Sequence, residues 1–328
     1  FGKHLDRSLK DLTAEALEGV LEDAGCERNL LEAAFFGNCV QGHMEGQDMI
    51  RGEVALRSLG VEHIPVINVE NACATASTAF YLAVNYVKAG AADIALAIGA
   101  EKMYSEDKAK MFSAFDGAWD VHDTENILQQ WTSMGDGVDV PEGSQSPRPY
   151  SVFMDVYAGF SRMHMREFGT TQRQLATIAS KNHGHSTMNP RSQYQKAFTG
   201  EEVLNGAPIT YPLTIPMCSP ISDGAAAAIV CNAAGLKKIN AAKARTMRVL
   251  ATVVQTGSTR PATDLSRHCS RLGSQKAYAQ AGLGPDDIDV AEVHDASATG
   301  EVIESEALGF CAVGEGGVIA ERGETTLG

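Results

Sequence analysis

PVINVENACATASTA, residues 65 to 79, is the stretch around which the chain is organised. A β-branched run (Val66, Ile67, Val69) breaks at Glu70 and Asn71, and Cys73 follows at once. Small residues (Ala74, Thr75, Ala76, Ser77, Ala79) then lead into the amphipathic segment Phe80 to Lys88. The pattern reads as strand, tight elbow, helix, with Cys73 at or near the first helical turn. Only a thiolate is a strong nucleophile, and the partial positive charge of a helix N-terminus lowers a cysteine pKa from its free value of about 8.5. Small neighbours let a substrate reach the sulfur. Cys73 is therefore the candidate catalytic nucleophile, and a lowered thiol pKa is expected.

Outward from this stretch, helices alternate with short apolar strands. Residues 9 to 25 have helical spacing and end in Gly25, a usual C-terminal cap, and Leu31 to Cys39 reads as a strand. Residues 46 to 60 read as a helix closed by glycine, followed by strands at 64 to 69 and, beyond the elbow helix, at 93 to 100. This alternation predicts an α/β fold with a largely parallel, buried sheet. From Glu101 to Pro216 the character changes: both tryptophans, a Gly/Pro/Ser-rich loop at 135 to 150, and helical stretches near 151 to 168 and 171 to 187. Such an insertion often lies over an active site. The parent pattern resumes at SPISDGAAAAIVCN (219 to 232), with Asp223-Gly224 expected as a turn and the alanine-rich run to Val230 as a packed strand. RVLATVV, 248 to 254, is expected to be another strand.

An internal repeat follows. AGCERNLLEAAFFGNC (24 to 39) matches AGLGPDDIDVAEVHDA (281 to 296) without a gap at an offset of 257, with Gly25 on Gly282, Leu31 on Ile288, Ala33 on Val290 and Phe36 on Val293. A helix is expected after each copy. The division this implies is 1–100 as the first part of an N-terminal half, 101–216 as an inserted loop domain, 217–235 as a return strand, and 236–328 as a C-terminal half. The second copy's counterparts of the Cys73 elbow and its strands would begin near residue 321, so about 60 residues or more are expected beyond Gly328, and a first strand before Phe1.

At 328 residues the chain has material for roughly two domains. Its net charge of −14 argues against non-specific nucleic-acid binding, which needs a basic face. No apolar run approaches the roughly 20 residues of a membrane span, and the polar opening FGKHLDRSLKDL does not read as a signal peptide. Seven scattered cysteines without a CxxC form neither a disulfide framework nor a zinc-ligand set, so no metal site is expected and a reducing, cytoplasmic location is.

NVENACATAS, GAADIALAIGAEKM (90 to 103), SPISDGAAAA (219 to 228) and EVHDASATGEVIESEALGFC (292 to 311), in this order over essentially the whole chain, resemble the thiolase superfamily, and most nearly its sterol-carrier-protein-2 type. The resemblance implies a thiolase fold of two duplicated α/β halves. It also implies cleavage of 3-ketoacyl-CoA with coenzyme A, or the reverse Claisen condensation, through an acyl-enzyme on Cys73. By the same resemblance His294 contributes to an oxyanion hole and Ser219 touches the pantetheine arm of the substrate. His294 read alone is equally a strand-capping histidine, and Ser219 a turn serine. No cofactor is implied beyond the coenzyme A thioester substrate. The implied partners are acyl-CoA and CoA, a second copy of the chain in a homodimer, and a small zinc-containing acyl-CoA-binding subunit.

Two features depart from the family pattern. Its HDCF motif has Ala296 in place of the cysteine that is a candidate acid/base, and the GHP and CxG motifs would lie beyond residue 328. Two alternatives stay open: a thiolase-fold retro-aldolase of steroid side-chain degradation, which needs no nucleophilic cysteine, and a non-catalytic acyl-CoA-binding subunit.

Overall fold

The computed structural model describes residues 1–240 and 245–327. In chain order the elements are α1 (Leu9–Ala24), β1 (Ala33–Gly37), α2 (Gln41–Glu45), α3 (Arg51–Arg57), β2 (Val66–Val69), α4 (Thr75–Lys88), β3 (Ile94–Lys102) and α5 (Lys108–Ser113). There follow α6 (Thr124–Thr132), α7 (Phe153–Phe168), α8 (Gln172–Ser186), α9 (Gly200–Leu204), β4 (Pro208–Thr210), β5 (Leu213–Thr214) and β6 (Asp223–Cys231). The last are α10 (Ala233–Lys238), α11 (Cys269–Ala281), α12 (Ala298–Leu308) and α13 (Gly316–Glu321). The chain forms two compact units, Phe1–Ala114 with Ile221–Val254, and Phe115–Pro220 with Gln255–Gly328. Among the described residues no helix is long and apolar enough to cross a membrane.

The first unit is built on a four-stranded sheet in the order β2-β1-β3-β6. β1 runs parallel to both neighbours, whereas β6 pairs antiparallel with β3 in unbroken register from Ile94↔Cys231 to Lys102↔Asp223. Successive side chains of a strand point to opposite faces, and both faces are covered. Phe36, Leu96 and Ile98 pack with Leu9, Leu17 and Leu21 of α1 and Leu56 of α3. On the other face Phe35, Val69, Ala95 and Ala97 pack with Ala79, Ala83, Val84 and Val87 of α4. A Ser8–Asp11 capping box starts α1, and Gly25 ends it in the left-handed region (φ 58°). Two further glycines seat α4 on the strand ends. A Cβ at Gly99 would lie 2.6 Å from that of Ala76, and one at Gly37 would lie 3.0 Å from Thr75 Cγ2.

Several expectations are corrected here. Asp223-Gly224 is not a turn but the beginning of β6. The Asp223 carboxylate is fully buried and accepts the backbone N–H groups of Met103 and Tyr104 (both 2.8 Å) and His4 (3.0 Å), with Lys102 Nζ at 3.4 Å, so the extended chain is locked at a satisfied charge. The single helix expected over 46 to 60 is α3 alone, because Ile50 takes a left-handed conformation (φ 48°) and a separate α2 precedes it. Residues 248–254 form no strand.

The second unit is mainly helical, with the β4–β5 ribbon and a core of Ala158, Leu175, Ile178, Val203, Leu213, Met217, Val302 and Ala320. The repeat is visible in its local geometry. α1, left-handed Gly25 and a 3-10 turn at Arg28–Leu30 recur at the same offset as α11, left-handed Gly282 (φ 70°) and a 3-10 turn at Pro285–Asp287. The copies then diverge. β1 becomes a strand because β2 and β3 flank it, whereas 288–294 has no strand partner among the described residues, and Val290 is 71% exposed. The four-stranded sheet is thus the only large sheet among the described residues.

Candidate active site

The turn that carries Cys73 is built almost entirely by side chains. After β2, Asn71 N–H donates to Thr75 Oγ1 (2.8 Å), Asn71 Nδ2 to Thr78 Oγ1 (2.9 Å), and the Thr75 hydroxyl to the Ala72 carbonyl (2.7 Å). Ala72 has φ 45°, a left-handed conformation that L-residues other than glycine adopt at a cost of roughly 1–2 kcal/mol. Its N–H is captured by Glu70 Oε1 at 2.6 Å. Cys73 falls in the 3-10 turn Ala72–Ala74, immediately before Thr75 begins α4, which is the elbow the sequence predicts. The strand ends, the two glycines beneath α4 and the threonine hydroxyls together aim this turn.

The thiol electrostatics differ from expectation. Surrounding atoms push the Cys73 thiol up, and its own backbone N–H opposes them. Cys73 is an exposed residue; beside it, the thiol of half-buried Cys39 rises to about 12. Cys39 follows β1 beside the same turn. Its Sγ lies 3.4 Å from Glu70 Oε1, its N–H donates to Glu101, and burial, Glu101, Glu70 and Cys73 all disfavour its thiolate. α4 begins two residues after Cys73, at Thr75.

Ser219 and the His294 loop belong to the second unit, where they meet. Both the backbone N–H (3.0 Å) and the hydroxyl (3.2 Å) of Ser219 donate to the Ala296 carbonyl, and Cys218 bridges Ser297 in antiparallel fashion. His294 is exposed, just before α12. Gly300 lets that helix close on the loop, since a Cβ there would come within 2.6 Å of the His294 carbonyl oxygen. Beside the loop is a cavity of about 180 Å³, whose lining includes Asn182, His183, Tyr194, Cys218, Ser219 and Asp295. Asp295 rises to about 6 through burial and the neighbouring Glu301 charge, against the Asn182 amide and Lys181. The His183 ring packs on Tyr194 and Phe198 and bonds the Pro216 carbonyl, a structural placement.

Sequence reasoning named Cys73, Ser219 and His294, which the structure places as described, Cys73 in the first unit and Ser219 and His294 in the second; it did not single out Glu70, Cys39, Asn182 and Asp295. Glu70 is part of the opening motif and Asp295 adjoins His294, so proximity was a signal for both. Cys39 and Asn182 carry no local signature, because their place depends on the pairing of β1 with β2 and on the packing of α8.

The chain matches two domain families and several known proteins. The thiolase N-terminal domain family matches residues 1–203, and the thiolase C-terminal domain-like family matches residues 251–328. Sterol carrier protein 2 of Bos taurus is 34% identical over 98% of this chain, and the chain spans only 57% of that relative's length. An acetyl-CoA acetyltransferase of Methanothermobacter thermautotrophicus is 34% identical over 100% of this chain and 79% of its own. Among solved structures, the Ltp2-ChsH2(DUF35) aldolase superposes with a TM-score of 0.70 at 22% identity, covering 98% of this chain and 77% of that one. With both domain families matched in order and the strand–elbow–helix at Cys73 in place, the chain belongs to the thiolase family and has its α/β fold.

Proposed function

We propose that the protein is an acyl-CoA acyltransferase of thiolase type, cleaving 3-ketoacyl-CoA with coenzyme A or running the reverse condensation. The Cys73 thiolate attacks the keto carbonyl and a carbon–sulfur bond forms. The bond between the keto carbon and its neighbour then breaks, the acetyl-CoA enolate leaves and takes up a proton, and coenzyme A removes the acyl group from sulfur. His294 donates to the oxygen on which charge develops, a contact typically worth about 3 kcal/mol of barrier, and Ser219 meets the pantetheine arm. The observation that carries the reading is Cys73 itself, exposed at a strained turn between β2 and α4. The protein incubated with an acyl-CoA is expected to gain one acyl mass on Cys73, and Cys73→Ala none; an unlabelled wild type overturns the proposal.

A second reading, a retro-aldolase that uses no cysteine nucleophile, is favoured by Ala296 in the position of the motif cysteine. Carbon–carbon cleavage that survives in Cys73→Ala would select it.

A further inference from the structure

His294 is exposed, and its ring makes no hydrogen bond to any of the described residues, so the backbone beneath it decides where the imidazole stands. The residues before it, 288–293, have no strand partner among the described residues, and the loop is gripped instead at the three residues that follow. The Ala296 carbonyl takes both donors of Ser219, and Ser297 bridges to Cys218. Asp295, next in sequence to His294, is gripped by its side chain. The Asn182 amide of α8 donates to its Oδ2 at 3.1 Å and, from the same nitrogen, to Glu301 Oε2 at 2.8 Å. Glu301 is a firm second anchor, buried in the first turn of α12 with Lys181 Nζ at 2.7 Å and Thr325 Oγ1 at 3.4 Å from its other oxygen. Two carboxylates that converge on one nitrogen repel each other, and burial strengthens the repulsion. An amide suits the place because it offers two hydrogens and no charge. Alanine there would leave Asp295 without a side-chain donor while it faces Glu301.

We infer that Asn182 is a positioning residue for His294: by tying Asp295 to Glu301 it holds the loop that carries the imidazole against the start of α12. For its catalytic meaning the inference rests on the acyl-transfer reading, in which His294 meets the oxygen that gains charge, but the geometry concerns the loop alone. Asn182 does not touch substrate in this account. Asp295 follows His294 directly, so a swing of its side chain away from Glu301 turns the peptide that the two residues share. A displacement of about 1 Å in a group that must meet a developing charge can cost about a hundredfold in rate.

Three substitutions separate an anchor from a charge effect and from plain stability. Asn182→Ala removes the amide and keeps both carboxylates, Asp295→Asn keeps an acceptor for Asn182 and removes the charge, and Asp295→Ala removes both. The first readout is the imidazole NMR signal of His294 near neutral pH in protein carrying isotope-labelled histidine, assigned by its loss in His294→Gln, with the melting temperature taken alongside. Asn182→Ala and Asp295→Ala are expected to displace and broaden the His294 signal, and Asp295→Asn to leave it much nearer its wild-type place. The second readout is acylation of Cys73 by acetyl-CoA. Its limiting rate is expected to fall about tenfold or more in Asn182→Ala and Asp295→Ala, with the half-saturating acetyl-CoA concentration little changed, the pattern of a misplaced transition-state contact. A lowered melting temperature in Asn182→Ala with the His294 signal in its wild-type place overturns the inference, since a bond that only stabilises the fold would give that result. A signal displaced as far in Asp295→Asn as in Asp295→Ala overturns it too, because charge and not the anchor would then be the cause. Should Asn182→Ala fail to fold, the Asp295 pair carries the same comparison, and equal signals in the two count against the inference. The His294 signal needs no acyl-CoA, so a wild type that takes no acyl group on Cys73 counts against acyl transfer, while the signal still decides the role of Asn182.

Discussion

Asn182 divides its side-chain amide between two carboxylates, donating to Asp295 at 3.1 Å and to Glu301 at 2.8 Å. Lys181 neutralises Glu301 at 2.7 Å and leaves Asp295 the poorly paired member. Its pKa of about 6 lies above the unfolded value near 3.9, so between these two the folded state binds more protons than the unfolded one. Stability therefore falls as pH rises through this window and stays lower above it. Asp295→Asn keeps an acceptor for Asn182 and removes the charge. Urea denaturation should show it more stable than wild type by about 2 kcal/mol at pH 7.5, with the gain gone near pH 4.

The pair His164–Glu306 is sealed in the second unit. The ring Nε2 lies 3.1 Å from the carboxylate, the other ring nitrogen 2.6 Å from Thr170 Oγ1, and both side chains are 1% exposed. Gly316 N–H is the further donor to Glu306, at 3.0 Å. His164→Ala leaves a buried carboxylate without its partner and should cost about 3–5 kcal/mol. A urea midpoint unchanged from wild type would contradict this.

Much of the first unit is readable from residues 9 to 100, where Gly25 closes α1, Gly60 follows α3 and a β-branched run precedes Cys73. What was not readable depends on partners distant in sequence. Strand direction is one case, because AAAAIVC looks the same parallel or antiparallel, and only pairing with Ile94–Lys102 decides it. The segments 248–254 and 288–294 are another. Their residues suit a strand, but a strand exists only where a neighbour completes its ladder. In the candidate site the motif residues stood out by type, whereas Asp295 and Asn182 matter through the carboxylate they share space with.

Ala72 provides a stability test of the turn. Replacement by glycine removes the Cβ that disfavours φ 45° while adding backbone freedom to the unfolded chain, for a net gain of about 0.5–1 kcal/mol. Ala72→Val should go the other way by about 2 kcal/mol, since a β-branched side chain tolerates this conformation worst. Thermal melts of the pair rank them; equal midpoints would show that the turn is relaxed.

Ser219→Ala separates fold from substrate contact. The backbone bond to Ala296 survives the change and the hydroxyl bond does not, so stability should drop by no more than about 1 kcal/mol. Under the proposed acyl transfer, the acyl-CoA concentration that half-saturates Cys73 labelling should rise several-fold, with the limiting rate little changed. An unaltered concentration dependence removes Ser219 from the substrate's path.

β3 leaves the ribosome long before β6, because the roughly 120 residues between them take on the order of ten seconds to synthesise. Throughout that interval Ile94–Lys102 has β1 on one side and bare amides and carbonyls on the other, and the Asp223 carboxylate that collects the N–H groups of Met103, Tyr104 and His4 has yet to arrive. An open edge of this kind is a template for another chain. The nascent protein is thus most exposed to mispairing while α6 to β5 are being made, and the antiparallel closing strand times its release from that hazard.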